Sequence, residues 1–176
     1  MSSVYHTEPP TKGKVVFQTS VGPIDVELWS KEAPKACRNF IQLALEGYYD
    51  RTTFHRVIPG FMAQGGDPTG TGMSGSDKPD LKAEFICEAH TRGTCSMARS
   101  QVPDSANSQF FICFQDASWL NGQYTVFGEV VEGMEHIDAI YSGYGECEPK
   151  GNGPSQTKVK EDEGEAYLQT FPKLTY

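Results

Sequence analysis

The side chains that most often carry covalent chemistry are scattered through this chain. His6, His55, His90 and His136 lie far apart, and none has zinc-motif spacing to another His or to a Cys. There is no G-x-S-x-G elbow, no Walker loop and no Cys–His pair with the makings of a triad. Gly70-Thr71-Gly72 lacks the strand–turn–helix context of a phosphate cradle and reads as turn glycine. No metal and no cofactor is therefore expected. What stands out is a dense set of exposed-type side chains beside aromatic ones. They fall in residues 54–67 (FHRVIPGFMAQGGD), 108–113 (SQFFIC) and 119–122 (WLNG). The pattern by itself names no reaction. Arg56, taken alone on a strand, is more often the partner of a surface carboxylate than a functional group.

The elements that must position these residues are short. Residues 14–19 and 24–28 read as a hairpin, the second strand alternating apolar and polar with period two. Residues 34–46 read as a helix. Pro34 stands near its start, Cys37, Phe40, Ile41 and Ala44 share one face, and Gly47 is placed to end it. A second helix is predicted over 133–141, with Met134, Ile137 and Tyr141 on one face. Between the helices, apolar runs at 53–58, 60–64, 94–98, 109–114 and 126–131 are separated by turn residues, the signature of a β-sandwich or closed barrel. The polar, glycine-rich stretch 65–84 is long enough to be functional or mobile. Residues 1–12 read as a flexible arm, 158–160 as a last strand, and 161–176 as an atypical tail holding a short helix that ends at Pro172.

Bulk properties bound the rest. The chain has 176 residues, 38% hydrophobic and 22% charged, which suits one soluble domain. No run approaches the ~18–20 apolar residues of a membrane span, and residues 1–14 do not resemble a secretory signal. A net charge of −8 disfavours nucleic acid as a partner. The five cysteines are odd in number and have no C-x-x-C spacing, which points to a reducing compartment. Cys95 and Cys113 sit in apolar runs and read as small core residues. The expected location is cytoplasmic, with the nucleus as the alternative.

Residues 54–67, 108–113 and 119–122, in that order and spacing, resemble the signature regions of the cyclophilin family, and the likeness runs over roughly residues 12–142. The resemblance implies an all-β fold, an eight-stranded antiparallel closed β-barrel capped by two α-helices. It implies peptidyl-prolyl cis–trans isomerase activity on Xaa-Pro peptides and unfolded proteins, in a monomer that binds cyclosporin-type inhibitors. It assigns Arg56 as the catalytic residue. Phe61, Met62, Phe111, Leu120 and Tyr124 correspond to the proline pocket, and Gln64, Ala98, Arg99, Gln109 and Trp119 to the substrate groove.

The sequence departs from the commonest family pattern at two of these positions. Asparagine is usual where Arg99 stands and histidine where Tyr124 stands, so altered peptide preference and weaker cyclosporin binding are expected. Residues 1–48 resemble spliceosome-associated cyclophilins, and residues 79–131 the bacterial and protist type. Beyond residue 143 the usual closing strand is not recognisable. Two further functions fit the same resemblance: a proline-segment binding or scaffold module with little catalysis, and a chaperone-like holdase using the apolar groove.

Overall fold

The computed structural model describes residues 13–86, 89–144, 146–148, 151–160 and 164–176. The arm over 1–12 and Cys87 lie outside these. The described chain forms β1 (Gly13–Thr19), β2 (Gly22–Leu28), α1 (Pro34–Leu45), β3 (Arg56–Ile58), β4 (Met62–Gly65), β5 (Thr94–Met97), β6 (Phe110–Cys113) and β7 (Val126–Glu132). Short helices follow: α2 (Met134–Asp138), α3 (Gln156–Lys160) and α4 (Gly164–Thr170). The strands make one curled antiparallel sheet in the order β1-β2-β7-β5-β6-β4-β3.

The sheet separates two apolar clusters. One is the interior, where Ile24, Val26 and Leu28 of β2 meet Ala63, Cys95, Met97, Phe110, Ile112 and Phe127. Helix α1 closes this side by inserting Phe40, whose ring stacks on Phe127 at 5.0 Å and meets Phe110 edge-on at 5.4 Å. Full burial of a side chain of this size contributes about 2–3 kcal/mol. Ala33 provides no side-chain cap for α1. The Glu84 carboxylate supplies it from across the fold, accepting from the N–H groups of Lys35 and Ala36 at 3.0–3.1 Å.

The second cluster lies on the opposite face of β4 and β6. Met62, Phe111 and Cys113 form it with Ala117 and Leu120, and Ile58, Phe61, Ala98 and Tyr124 pack at its margin. This accounts for the unbroken burial of β5 and β6: both of their faces are covered, so the runs TCSM and FFIC show no alternation. Cys95 and Cys113 are buried and free, and burial pushes the Cys113 thiol up to about 12, as suits packing residues.

Several sequence expectations are corrected. Among the described residues seven strands are present, and an eighth is not among them. Among the described residues β1 and β3 form the sheet's two edges and do not pair with each other. A cleft of about 740 Å³ lies between β1 and residues 49–54, and Tyr176 lines it. There Ser20 N–H donates to the Tyr176 carbonyl at 3.0 Å and Phe54 N–H to the Thr175 carbonyl at 3.3 Å. Strand β3 starts at Arg56 rather than 53 because residues 54 and 55 spend backbone groups on the tail, His55 C=O accepting from Cys147 N–H at 3.1 Å. Among the described residues four α-helices stand where two caps were expected. Residues 158–160 belong to α3, not to a strand. A lone buried Val159 between lysines fits one helical turn as well as a period-two pattern, and Val159 N–H bonds back to the Ser155 carbonyl. Helix α2 ends at Asp138, leaving Tyr141 exposed against the ring of Tyr144 at 4.8 Å.

Candidate functional site

Antiparallel register places the polar and apolar site residues in adjacent rows. Arg56 of β3 lies opposite Gln64 of β4, which lies opposite Phe111 of β6. The next row on the same face is Ile58, Met62 and Cys113. Two strand spacings separate Arg56 from Phe111, roughly 10 Å, which leaves room for a small ring between them. Phe111 meets Tyr124 edge-on at 5.5 Å, and a 3₁₀ turn at Ser118–Leu120 brings Leu120 over them. Phe61 extends the wall and packs on Trp119 at 5.6 Å, while 60% of Trp119 remains exposed. The structure therefore brings together all five expected pocket residues in one apolar cluster, the cup.

The polar side is a chain of hydrogen bonds with a fixed direction. Arg56 Nη1 donates to Gln64 Oε1 at 3.4 Å. Gln64 Nε2 donates to Gln109 Oε1 at 2.9 Å, and Gln109 Nε2 donates to the Ser74 carbonyl at 2.9 Å. Each amide accepts from one neighbour and donates to the next, so neither can flip without breaking two bonds. At the other edge, Arg56 Nε donates to Glu146 Oε1 at 3.0 Å. Both members of that ion pair are about 40% exposed, so it adds less than about 1 kcal/mol to stability. The carboxylate pairing expected of a lone strand arginine is therefore present. Arg56 also borders the cup with its Nη2 free of protein partners among the described residues.

Ala98 and Arg99 follow β5 along the rim. Ala98 N–H donates to the Gln109 carbonyl at 2.9 Å, which ties the groove to β6. The Arg99 guanidinium lies 4.8 Å over the Tyr124 ring and 5.6 Å over Phe85. Its Nε donates to the Gln123 carbonyl at 2.8 Å and its Nη1 to the Ser100 carbonyl at 2.8 Å. The two positions that depart from the family pattern are therefore in contact.

The remaining support was not visible in the sequence. Asp67 is fully buried, yet its carboxyl sits below the ordinary range. Burial alone would raise it, and bonds from the Thr69 hydroxyl and from the Thr69 and Ser74 N–H groups outweigh that. Asn107 receives the Ser76 N–H and hydroxyl on Oδ1 and donates to the Lys78 carbonyl. Asp67 thereby braces the long loop from within, and Asn107, just before β6, holds it from outside. Behind the cup, His90 is 1% exposed and stacks on Phe111 at 6.2 Å. The Asn121 Oδ1 already accepts the His90 N–H, so it also accepts from Nδ1 (3.1 Å), leaving Nε2 to accept from the Ser96 hydroxyl (3.0 Å). Burial holds this ring's pKa below 6.5 and keeps it neutral. Neither His90 nor Glu146 carried a spacing signal, because each acts through contacts made by distant segments.

This curled sheet, with an arginine–glutamine row beside an aromatic cup, is matched by known proteins. The family described as "Cyclophilin type peptidyl-prolyl cis-trans isomerase/CLD" matches residues 14–161. The chain belongs to the cyclophilin family. The match extends past residue 142, where the resemblance in the sequence fades. Among curated relatives, "Peptidyl-prolyl cis-trans isomerase CYP57" of Arabidopsis thaliana is 51% identical over 148 residues, 81% of this chain. "Spliceosome-associated protein CWC27 homolog" of Xenopus laevis is 53% identical over 147 residues, also 81% of this chain. This cyclophilin spans only 28–29% of the length of those two proteins. Among solved structures, a Cryptosporidium parvum cyclophilin type peptidyl-prolyl cis–trans isomerase, crystallised in the presence of the dipeptide Ala-Pro, superposes with a TM-score of 0.69. It is 40% identical, covering 72% of this chain and 83% of that one. No described helix is long and apolar enough to cross a membrane.

Proposed function

We propose that this cyclophilin accelerates rotation about Xaa-Pro bonds in peptides and proteins, with Arg56 as the catalytic residue. An unaided prolyl bond crosses a barrier of about 18–20 kcal/mol. At the top of that barrier the amide is twisted, resonance is lost and the imide nitrogen becomes pyramidal with a usable lone pair. A fixed guanidinium N–H aimed at that nitrogen bonds the twisted state and barely touches the planar one, so its binding energy lowers the barrier. An acceleration of ~10⁵ needs only about 7 kcal/mol. A guanidinium suits the task because its charge is permanent and its donors are held in a rigid fork.

In this reading Phe61, Met62, Phe111, Leu120 and Tyr124 hold the proline ring while the carbonyl before it rotates. Gln64 and Gln109 receive the substrate backbone and orient Arg56, and Ala98, Arg99 and Trp119 line the groove for flanking residues. The observation that carries the reading is the row Arg56–Gln64–Phe111 on one face of the sheet, with the guanidinium's Nη2 left without a protein partner among the described residues. We also propose that the fold completes an eight-stranded barrel with an extended segment lying along β1. We read the chain as one domain acting as a monomer, and a cyclosporin-type inhibitor as able to occupy the cup, less tightly because of Arg99. The relatives named as spliceosome-associated favour the nucleus over the cytoplasm, and they favour a second reading, a proline-segment docking module.

Exchange NMR on a proline peptide, with and without the protein, tests the reading. Arg56→Ala should lower kcat/KM by about 10²–10³, the usual loss for one transition-state donor. A variant with wild-type rates would end the catalytic assignment. Unchanged peptide binding with no catalysis in the parent protein would favour the docking module.

A further inference from the structure

We infer that Glu146 is a positioning residue for Arg56, and that residues 146–148 and 151–153 are arranged to present its carboxylate there. The inference rests on the reading of Arg56 as the catalytic group. Glu146 comes from the tail, ninety positions from Arg56, and its Oε1 accepts from Nε. With Gln64 holding Nη1, the planar fork is gripped at two of its three nitrogens and Nη2 is left for substrate. Gln64 alone, at 3.4 Å, would leave the long side chain free to swing.

The backbone explains why the carboxylate arrives where it does. Cys147 N–H donates to the His55 carbonyl at 3.1 Å, which sets residue 146 beside residue 56. The loop then turns back on itself. Gly151 N–H bonds the Cys147 carbonyl and Gly153 N–H bonds the Glu146 carbonyl at 2.9 Å. A Cβ at Gly151 would lie 2.3 Å from that same Glu146 carbonyl oxygen, and one at Gly153 would lie 2.6 Å from it. Two glycines are thus required by close approach to the residue that holds Nε of Arg56. An exposed ion pair adds little stability, so what this arrangement supplies is orientation.

The test measures kcat and KM by exchange NMR across a peptide concentration series. Glu146→Ala should lower kcat about tenfold with KM within about twofold, because a loosened fork costs turnover while the cup still binds the ring. Glu146→Gln keeps an acceptor for Nε and should retain activity within about threefold. Gly153→Ala shifts the loop without touching substrate and should reproduce the kcat loss. In an Arg56→Lys background, which has no Nε, Glu146→Ala should change nothing further. The Arg56 Nε–Hε resonance should shift in Glu146→Ala and stay near its wild-type position in Glu146→Gln. If Glu146→Ala leaves kcat unchanged or raises it while Arg56→Ala abolishes activity, the positioning role is wrong and the isomerase reading stands. If Arg56→Ala itself is fully active, both fall together.

Discussion

Replacing Arg99 and Tyr124 by the asparagine and histidine common in relatives should reveal that the two positions are energetically coupled. The Arg99 guanidinium lies 4.8 Å over the Tyr124 ring, at a rim that is only partly shielded from water. A cation–π contact of this exposure is worth about 0.5–1 kcal/mol. Arg99 also donates to the Gln123 carbonyl, the residue next to Tyr124, so its removal frees the turn that carries the ring. A double-mutant cycle over Arg99→Asn and Tyr124→His isolates the shared part, since the carbonyl bonds are lost equally in both backgrounds. The expected coupling is about 0.5–1 kcal/mol, or roughly a two- to fivefold change in the unfolding equilibrium constant. Urea unfolding at pH 7.5 reads it directly. The same cycle on peptide KM should show Tyr124→His more harmful with Arg99 present than absent, because the guanidinium then loses its platform and sweeps the groove. Additivity within about 0.3 kcal/mol in both measurements would refute the reasoning and make the two departures independent.

Three other outcomes are expected. His90 is held neutral in the fold with a pKa below 6.5, so the unfolded chain takes up the proton first. Denaturant stability should be level in pH above about 6.5 and fall as pH drops below it, and His90→Gln should remove that part of the slope. Asp67 has the opposite chemistry: its lowered carboxyl contributes stability that is present above 3.8 and lost as pH falls through the folded value. Asp67→Asn should cost about 1–3 kcal/mol at neutral pH and flatten the acid limb of the unfolding curve. Leu120→Ala should raise peptide KM more than it lowers kcat, because Leu120 covers the cup and lies outside the arginine row. A loss confined to kcat would contradict that placement.

The legible parts of this protein were those written in neighbouring residues. Period two in residues 24–28 located β2, and the spacing of Cys37 and Phe40 found part of the buried stripe of α1, which also takes in Ala36, Asn39 and Leu43 while Ile41 and Ala44 stay partly exposed. The resemblance carried by residues 54–67 located Arg56 and Gln64 eight positions apart, and the β3–β4 hairpin turns that separation into a cross-strand pair. Short strands were harder. Residues 53–55 look like strand, but their backbone partners come from Cys147 and Thr175, and no local pattern announces a partner that distant. The tail failed for the same reason. One buried valine, Val159, fits a strand or a helix turn, and the choice lies with contacts that α3 makes to α4.

Glu146 shows what this implies for reading function. The residues that border the cup come from β3, β4, β6 and the turn at 118–120, where hydrophobic pattern and motif coincide. The group that holds Nε of Arg56 comes from a segment with neither, and it carries only a glycine spacing at 151 and 153 as a trace. An arginine can bind a twisted imide only if its plane is already set when the substrate arrives, since ordering it afterwards would consume the energy meant for the transition state. Arg56 and the apolar cup are therefore local inventions of the sheet. The rigidity that would make them effective is borrowed from the tail, and swapping the tail between cyclophilins should change turnover while leaving the cup's affinity for proline nearly intact.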